Sequence, residues 1–329
     1  MTDLPVTMAC GPYDRLQALK EGLIKPEGID LRYVEIQSPP EIFARMLKTK
    51  SFDIAEMSSA HYITMKSRGD FPYIALPVFP SRLFRHGFIF INRNASISCP
   101  TDLAGKRIAV QEYRQSAGVW IRGILKSEYG VDFSDVTWFE GGVDTPRQFD
   151  ETMDLRPAGD LKLELIGPEK SISGVLASGE VDAYFGARAP QAFFDSEDVV
   201  RLFPDYRAEE RAYFERTGIY PIMHTMIMPE AFHEAHPWVA ESLFKALSDA
   251  KEWALAQMRF SGAQRYMVPW LFADIDEMNE LFGGDPCPYG VEPNRKTLET
   301  AVGYLFDQGF IDKTMDVEDL FTPIVGWTE

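Results

Sequence analysis

Cysteine is scarce in this sequence, and long apolar segments are absent. The three cysteines among the 329 residues, Cys10, Cys99 and Cys287, lie far apart and form no C-x-x-C pair. This spacing argues against disulfides and a thiolate metal site, and it is typical of a reducing compartment. No stretch approaches the roughly 18 apolar residues of a membrane-spanning helix. The N-terminal segment also lacks the apolar core of a secretory signal, so we expect a cytoplasmic protein.

Basic residues are in deficit, since 33 Lys and Arg face 50 Asp and Glu and the net charge is −17. At this charge nucleic acid and anionic membranes would be repelled, so we expect neither as a partner. A small anionic ligand is still allowed, because a local group of Arg side chains can bind it inside a negative protein. The length is sufficient for two domains, each with its own core. The composition does not decide between a monomer and a homo-oligomer.

Several cofactor motifs are missing from the chain. It has no G-x-G-x-x-G after a strand, no P-loop and no G-x-S-x-G elbow. No H-x-H pair or clustered His and Asp set indicates a metal site. We therefore expect a protein that works without a cofactor or a resident metal, with a loosely held divalent ion as the alternative.

Short apolar runs alternate with amphipathic segments, which is the pattern of an α/β fold with mostly parallel strands. Strands are predicted at 6–10, 28–36 and 52–58, and then at YIALPVF and HGFIFIN. After a loop at 92–106 the alternation restarts at RIAVQEY and continues to VVRLFP. A strand-like segment at 219–228 and a helical tail from Pro237 follow.

Two such runs followed by a helical tail predict two similar lobes. We expect residues 1–95 and 221–329 to form one lobe and residues 96–220 to form the other. The tail would then pack back on the first lobe. In folds of this kind the ligand lies in a cleft, where it contacts loops at the carboxyl ends of strands.

One basic segment contrasts with the acidic remainder of the chain. In PSRLFRHGFIFIN, residues 80–92, Arg82, Arg85 and His86 fall within five positions directly before an apolar run. In a helical turn the three side chains would share one face, whereas in an extended segment Arg85 would point away from the other two. The pattern fits a solvated surface cluster and the wall of an anion site equally well.

A family resemblance favours the anion site. The blocks SRLFRHGFIFINRN, VQEYRQSAGVWIRGILKSEYGVD with WFEGG, IYPIMHTMIM and DPCPYGVEPNRKTLE are similar to those of 4,5-dihydroxyphthalate decarboxylases, and the similarity covers residues 6–310. The resemblance implies an α/β fold like that of type 2 periplasmic solute-binding proteins, with two mostly parallel sheets flanked by helices, a hinge and an interlobe cleft. It also implies that one carboxylate is removed from a dihydroxylated phthalate to give protocatechuate and CO2.

This reaction defines what the protein must supply. Each carboxylate of 4,5-dihydroxyphthalate is para to a hydroxyl, so a base near the hydroxyl and an acid near the ring carbon would release CO2. Arg suits the carboxylates because its planar fork makes two hydrogen bonds. The expected carboxylate ligands are Arg82, Arg85, Arg114 and Arg188, together with Ser116 at the start of a predicted helix. For Arg114 and Arg188, a surface ion pair with a nearby acid is the alternative.

The catalytic candidates are two histidines and three acids. His86 would be kept neutral by neighbouring Arg side chains and could act as a base. His224 lies in an apolar strand, where a core position and a cleft position are equal alternatives. Asp14, Glu56 and Glu112 are acidic candidates near the phenol, and capping of a helix is the alternative for Asp14.

Further side chains are expected to contact the oxygens or the ring of the substrate. These are Ser58, Ser59 and His61 near a helix start, and Tyr13 and Tyr184, for which core packing is the alternative. A solute receptor that binds an aromatic or heterocyclic acid without chemistry is the alternative function, because one fold serves many functions. Two features favour the enzyme, namely the presence of the basic block and the expected lack of a leader.

Overall fold

The computed structural model describes residues 2–69, 71–147 and 155–324, and the chain divides into two compact units. Unit 1 consists of Met1–Arg82, Ile222–Glu299 and Met315–Glu329, and unit 2 consists of Leu83–Pro221 and Thr300–Thr314. Relative to the predicted lobe boundaries, residues 83–95, Pro221 and residues 300–314 lie in unit 2. For residues 89–92 the reason is strand pairing, because they form a strand inside the sheet of unit 2.

Unit 1 contains a mixed five-stranded sheet of order β2-β1-β3-β11-β4. Its strands are β1 (Leu4–Cys10), β2 (Ile29–Glu35), β3 (Ile54–Ser58), β4 (Tyr73–Arg82) and β11 (Ile222–Pro229). Strand β1 pairs in parallel with β2 and β3, as the alternating pattern predicts. Strand β11 returns from the other unit and inserts antiparallel between β3 and β4.

Several helices of unit 1 pack against this sheet. The helices of the unit are α1 (Gln17–Lys20), α2 (Pro39–Thr49), α3 (Ser59–Ser67), α8 (Glu230–Ala235), α9 (Trp238–Arg259) and α10 (Leu271–Phe282). Helix α2 starts with proline at its first turn and buries Ile42 and Met46, which are one turn apart on one face. Helix α9 packs its apolar face, including Leu243 and Leu247, into the core around Met8 of β1.

Unit 2 contains a mixed six-stranded sheet of order β10-β5-β9-β6-β7-β8. Its strands are β5 (Ile89–Asn92), β6 (Arg107–Val110), β7 (Thr137–Glu140), β8 (Leu163–Leu165), β9 (Ala183–Phe185) and β10 (Val199–Arg201). Its helices are α4 (Ser116–Tyr129), α5 (Ile172–Ala177), α6 (Ala192–Asp195) and α7 (Tyr206–Thr217), while α11 (Arg295–Asp307) begins in unit 1 and ends in unit 2. Across the described ranges, no helix is long and apolar enough to cross a membrane.

Candidate active site

A single carboxylate lies at the centre of the sheet of unit 1. Glu56 is on β3, a strand whose five residues are all buried, and its side chain is fully enclosed. Oxygen Oε1 accepts hydrogen bonds from the Tyr13 hydroxyl at 2.6 Å and from Nδ1 of His224 at 2.5 Å. Oxygen Oε2 accepts from the Gly11 N–H at 2.8 Å and contacts the Cys10 sulfur at 3.3 Å. Such a buried charge requires these donors, because an unpaired carboxylate would be strongly destabilising there.

Sheet topology brings these distant residues together. Because β1 and β3 are parallel neighbours, the carboxyl end of β1, with Cys10 and Gly11, lies beside the carboxyl half of β3. Strand β11 runs antiparallel to β3 and places His224 opposite Ser58. His224 is also paired with Ser81 on β4, so the histidine is flanked by strands on both sides.

The electrostatics keep Glu56 ionised. Burial alone would raise the pKa of Glu56, but the charge and the hydrogen bond of His224, with the bonds from Tyr13 and Gly11, bring it below its usual value. Burial and the charge of Glu56 raise the pKa of Tyr13, so its hydroxyl stays a donor. An ionised carboxylate is a strong acceptor for the N–H at Nδ1, so the bond fixes the orientation of the His224 ring.

The ring of His224 contacts Glu56 and Phe43, but its side chain is not fully buried. Its side chain is 17% exposed, so it is not fully closed off from solvent. The ring of Phe43 meets it edge to face, with 5.2 Å between the ring centroids. A histidine with one nitrogen on a carboxylate and some access to solvent can exchange a proton repeatedly.

The start of α3 lies next to this histidine. Ser58, the strand neighbour of His224, caps α3 by accepting the N–H of His61 at 3.4 Å. Ser59, the first residue of the helix, is buried, and its hydroxyl has no hydrogen-bond partner among the described residues. A helix N-terminus attracts negative charge, so the three predicted binding residues Ser58, Ser59 and His61 share a position suited to a carboxylate.

Asp14 and Arg82, which the sequence also predicts in the site, bond to residues other than Glu56 and His224. Asp14 lies on the 3-10 helix that follows Tyr13, where its exposed carboxylate accepts the Arg15 N–H at 2.8 Å and pairs with the Arg15 side chain. Arg82 is buried at the end of β4 and donates to Oδ1 of Asn294 at 2.7 Å. The roles of Asp14 as a catalytic group and of Arg82 as a carboxylate ligand stay predictions.

His86 belongs to unit 2 and is almost fully buried on the 3-10 turn before β5. The rings of Tyr129, Phe203 and Tyr213 pack around it, with centroid distances of 5.3–6.1 Å. Burial lowers the pKa of His86 to about 4, and the charge of Arg216 adds to this effect. The neutral ring that the sequence predicts therefore has burial as its main cause, and the role of His86 as a base stays a prediction.

Arg85 and Tyr184 are buried in unit 2. Arg85 donates to the carbonyl of Ala187 at 3.4 Å, and its guanidinium lies 5.4 Å from the ring centroid of Phe88. Burial lowers the pKa of Arg85 to about 10, so the side chain is charged at neutral pH. Tyr184 on β9 lies parallel to Phe90, and no hydrogen-bond partner is described for its hydroxyl.

The remaining predicted residues of unit 2 follow strands β6 and β9 along the chain. Glu112 makes ion pairs with Arg114 at 2.7 Å and with Arg147 at 2.6 Å. Ser116 is the buried first residue of α4. Arg188 is exposed and pairs with Asp144. Arg188 thus makes the surface ion pair of the alternative interpretation, whereas the ion pair of Arg114 is largely buried. The roles of Glu112, Arg114, Ser116, Arg188, Arg85 and Tyr184 in catalysis or binding stay predictions.

The sequence does not predict that Cys10 and Gly11 belong to the site. Glu56 is the charged residue in the otherwise apolar and polar-uncharged segment IAEMS, which is a signal for a functional carboxylate. Cys10 and Gly11 carry no comparable signal, since a cysteine and a glycine at the end of a strand are common. No group of three or more His, Cys, Asp or Glu side chains in the described ranges could hold a metal ion.

Comparisons with known proteins agree with the resemblance. No protein-family model matches the chain. The 4,5-dihydroxyphthalate decarboxylase of Comamonas testosteroni is 35% identical over 326 residues, which cover 98% of each protein. The enzyme of the same name from Pseudomonas putida is 40% identical over 193 residues, covering 59% of this chain and 74% of that enzyme.

Among solved structures, two periplasmic sulfonate-binding proteins share the fold. SsuA of Methylobacillus flagellatus has a TM-score of 0.56 at 16% identity, covering 98% of this chain and 93% of its own. SsuA of Escherichia coli has a TM-score of 0.53 at 13% identity, with 98% and 97% covered. These likenesses confirm the predicted α/β fold of the periplasmic-binding-protein kind. The near-full-length similarity to the Comamonas enzyme shows that this chain belongs to the 4,5-dihydroxyphthalate decarboxylase family.

Proposed function

We propose that this protein is a carboxy-lyase that converts 4,5-dihydroxyphthalate to protocatechuate and CO2, with the Glu56–His224 pair as its proton-transfer group. The observation that carries the proposal is a buried carboxylate bonded to a partly exposed histidine ring, in a member of a decarboxylase family. Decarboxylation of an aromatic ring requires a proton at the carbon that loses the carboxylate. Histidine is suited to deliver it, since it gains and loses a proton near neutral pH.

In this proposal His224 acts as the general acid. The charge of Glu56 beside Nδ1 stabilises the imidazolium, which transfers a proton to the ring carbon that bears a carboxylate. The para hydroxyl stabilises the positive charge that develops on the ring. The bond to the carboxylate then breaks, its electron pair restores the aromatic ring, and CO2 leaves. One proton is consumed, and His224 regains one from solvent through its exposed edge.

The groups around the pair have supporting roles. Tyr13 and Gly11 donate to the Glu56 carboxylate, which keeps it ionised and oriented towards His224. Ser58 and Ser59 are proposed to bind a substrate carboxylate at the N-terminus of α3, where the helix dipole favours an anion. His224 and this helix start are neighbours across the β3–β11 pairing, so one aromatic diacid could contact both.

We also propose that the protein works in the cytoplasm on a small anion. All three cysteines are free thiols, including the exposed Cys99. Free thiols are the usual state of cysteine in a reducing compartment. The charge of −17 supports the expectation that neither nucleic acid nor an anionic membrane is a partner.

The function is tested with purified, chelator-treated protein and 4,5-dihydroxyphthalate in D2O. Protocatechuate and CO2 should form in the presence of the protein, and the new C–H position should carry deuterium. A Glu56→Gln variant should be folded but strongly impaired. Thermal stabilisation by the substrate without product would instead identify a binding protein. The absence of both product and stabilisation would exclude this compound as the ligand.

A further inference from the structure

The Cys10 thiol lies inside the catalytic cluster although the mechanism above assigns it no step. Cys10 is the last residue of β1 and is fully buried. Its sulfur lies 3.3 Å from Oε2 of Glu56 and 4.0 Å from the sulfur of Met226. A carboxylate oxygen is a much stronger acceptor than a thioether, so the thiol proton points to Glu56.

The thiol remains a donor because it does not ionise. Burial raises the pKa of Cys10 well above its usual value, and the charge of Glu56 raises it further. The Tyr33 hydroxyl donates to the carbonyl of Gly11, the residue after Cys10, at 3.0 Å. The thiol therefore keeps the proton that it donates to the Glu56 carboxylate.

The donors are divided evenly between the two oxygens of Glu56. Tyr13 and His224 bond to Oε1, whereas Gly11 and Cys10 bond to Oε2. The terminal torsion of a glutamate has only a broad preference, so bonds on both oxygens are needed to fix its plane. If the bonds to Oε2 are weakened, the carboxylate can rotate away from Nδ1 of His224.

Glycine is required for the backbone donor on this side. A Cβ at position 11 would lie 2.8 Å from Cε2 of Tyr13 and 3.4 Å from Oε2 of Glu56. The backbone approaches the carboxylate so closely that a larger residue would displace Tyr13. Position 10 is therefore where a side chain can supply the second donor to Oε2.

We propose that Cys10 is a positioning residue whose thiol, together with the Gly11 N–H, orients Glu56 towards His224. This inference rests on the proposed function, because it assigns Cys10 to the same proton-transfer pair. Cys10 does not contact the substrate and forms no covalent intermediate in this role.

Three variants separate positioning from packing. Cys10→Ser keeps a donor, Cys10→Val fills the space without one, and Cys10→Ala does neither. We expect Cys10→Ser to keep kcat within about threefold, while Cys10→Val and Cys10→Ala lose about tenfold in kcat with KM within about twofold. Equal kcat values for Cys10→Ser and Cys10→Val, compared per folded molecule, would overturn the proposal.

An infrared measurement tests the hydrogen bond without any substrate. The Cys10 S–H stretch is identified as the band that is lost in Cys10→Ser. In Glu56→Gln this band should move to higher wavenumber, because an amide oxygen is a weaker acceptor than a carboxylate. An unmoved band would overturn the positioning role even if the enzyme is active. If the band moves but the wild-type protein makes no protocatechuate, the proposed function fails while the thiol–carboxylate bond is supported.

Discussion

Each unit of this protein contains a histidine close to a glutamate, and the two pairs are bonded in different ways. In unit 1, Glu56 accepts a hydrogen bond from the ring of His224 at 2.5 Å. In unit 2, Glu210 accepts the backbone N–H of Gly87, the residue after His86, at 3.0 Å. The ring nitrogens of His86 have no hydrogen-bond partner among the described residues.

The difference in bonding produces opposite electrostatics. Burial opposes ionisation of both glutamates, but His224, Tyr13 and Gly11 bring the pKa of Glu56 below its usual value. For Glu210, burial is the larger effect and raises the pKa to about 7. The same two residue types thus form a hydrogen-bonded pair of side chains in unit 1. In unit 2 the histidine ring packs among aromatic rings, and the glutamate bonds to the backbone of the next residue. The hydrogen bond of its ring therefore distinguishes His224 from His86, whereas residue type and basic neighbours do not.

The largest effect is expected from replacing the ring that carries the proton. His224→Asn can still donate to Glu56 but cannot exchange a proton, so we expect kcat/KM to fall by about 10²–10⁴-fold. The measurement is initial-rate formation of protocatechuate by variants whose circular dichroism matches the wild type.

The matching change in unit 2 tests the comparison directly. A packed aromatic environment predicts that His86→Phe keeps kcat/KM within about threefold per folded molecule. His236→Asn, a histidine replacement at the C-terminal end of α8, serves as the control. A loss in His86→Phe as large as that in His224→Asn would restore His86 as the catalytic base and break the contrast between the units.

A smaller effect is expected from removing one donor to Glu56. Tyr13→Phe deletes the hydroxyl that bonds to Oε1, so the carboxylate becomes easier to protonate and less firmly oriented. We expect kcat/KM to fall about tenfold, in keeping with one charge-assisted hydrogen bond. The hydrogen bond from Tyr13 helps to lower the pKa of Glu56, so its loss should raise that pKa. The acidic limb of the pH–rate profile should then move to higher pH.

Tyr62→Phe provides the control for this prediction. Tyr62 is another buried tyrosine of unit 1, and its hydroxyl bonds to the backbone carbonyl of Leu320 rather than to Glu56. Its loss should reduce stability without moving the acidic limb. Equal pH–rate profiles for Tyr13→Phe and wild type would show that Tyr13 does not support the ionised carboxylate.

Local sequence patterns predicted much of the fold because they report on burial. The apolar segments at 6–10 and 52–58 correspond to β1 and β3, which are buried along most of their length. The sequence does not predict helix α7, because only Tyr213 of its residues is buried and it has no apolar stripe. Its ends are set by the cap of Asp205 and by the left-handed Gly218.

The candidate site was harder to predict because its contacts are not local. Glu56 and His224 are 168 positions apart in the chain and meet only because β11 inserts antiparallel beside β3. From sequence, His224 could not be assigned to the core or to a site, and Glu56 was one of three acidic candidates. The clustering of Arg82, Arg85 and His86 indicated a site from sequence proximity alone, although Arg82 and His86 belong to different units.

The smallest effect is expected in the free energy of unfolding, when Glu210 is replaced. Since burial raises the pKa of Glu210 to about 7, the folded state favours its neutral form, and folding weakens as the pH rises from the unfolded pKa towards that value. The contribution of the neutral form is complete below the unfolded pKa of about 4.3 and is lost as pH rises through about 7. Glu210→Gln removes the charge and keeps an oxygen acceptor for Gly87. We expect it to increase the free energy of unfolding by about 1–2 kcal/mol at pH 8, discounted for partial exposure, and by much less at pH 5.

Urea unfolding of the variant and the wild type at both pH values measures this difference. Glu215→Gln, which removes an exposed partner of Arg211 on the same helix, should change stability by less than about 0.5 kcal/mol at either pH. A gain for Glu210→Gln that is equal at pH 5 and pH 8 would mean that Glu210 is not neutral in the folded protein. The two glutamates would then have the same charge state, and only the hydrogen bond from the His224 ring would distinguish the site of unit 1 from the turn of unit 2.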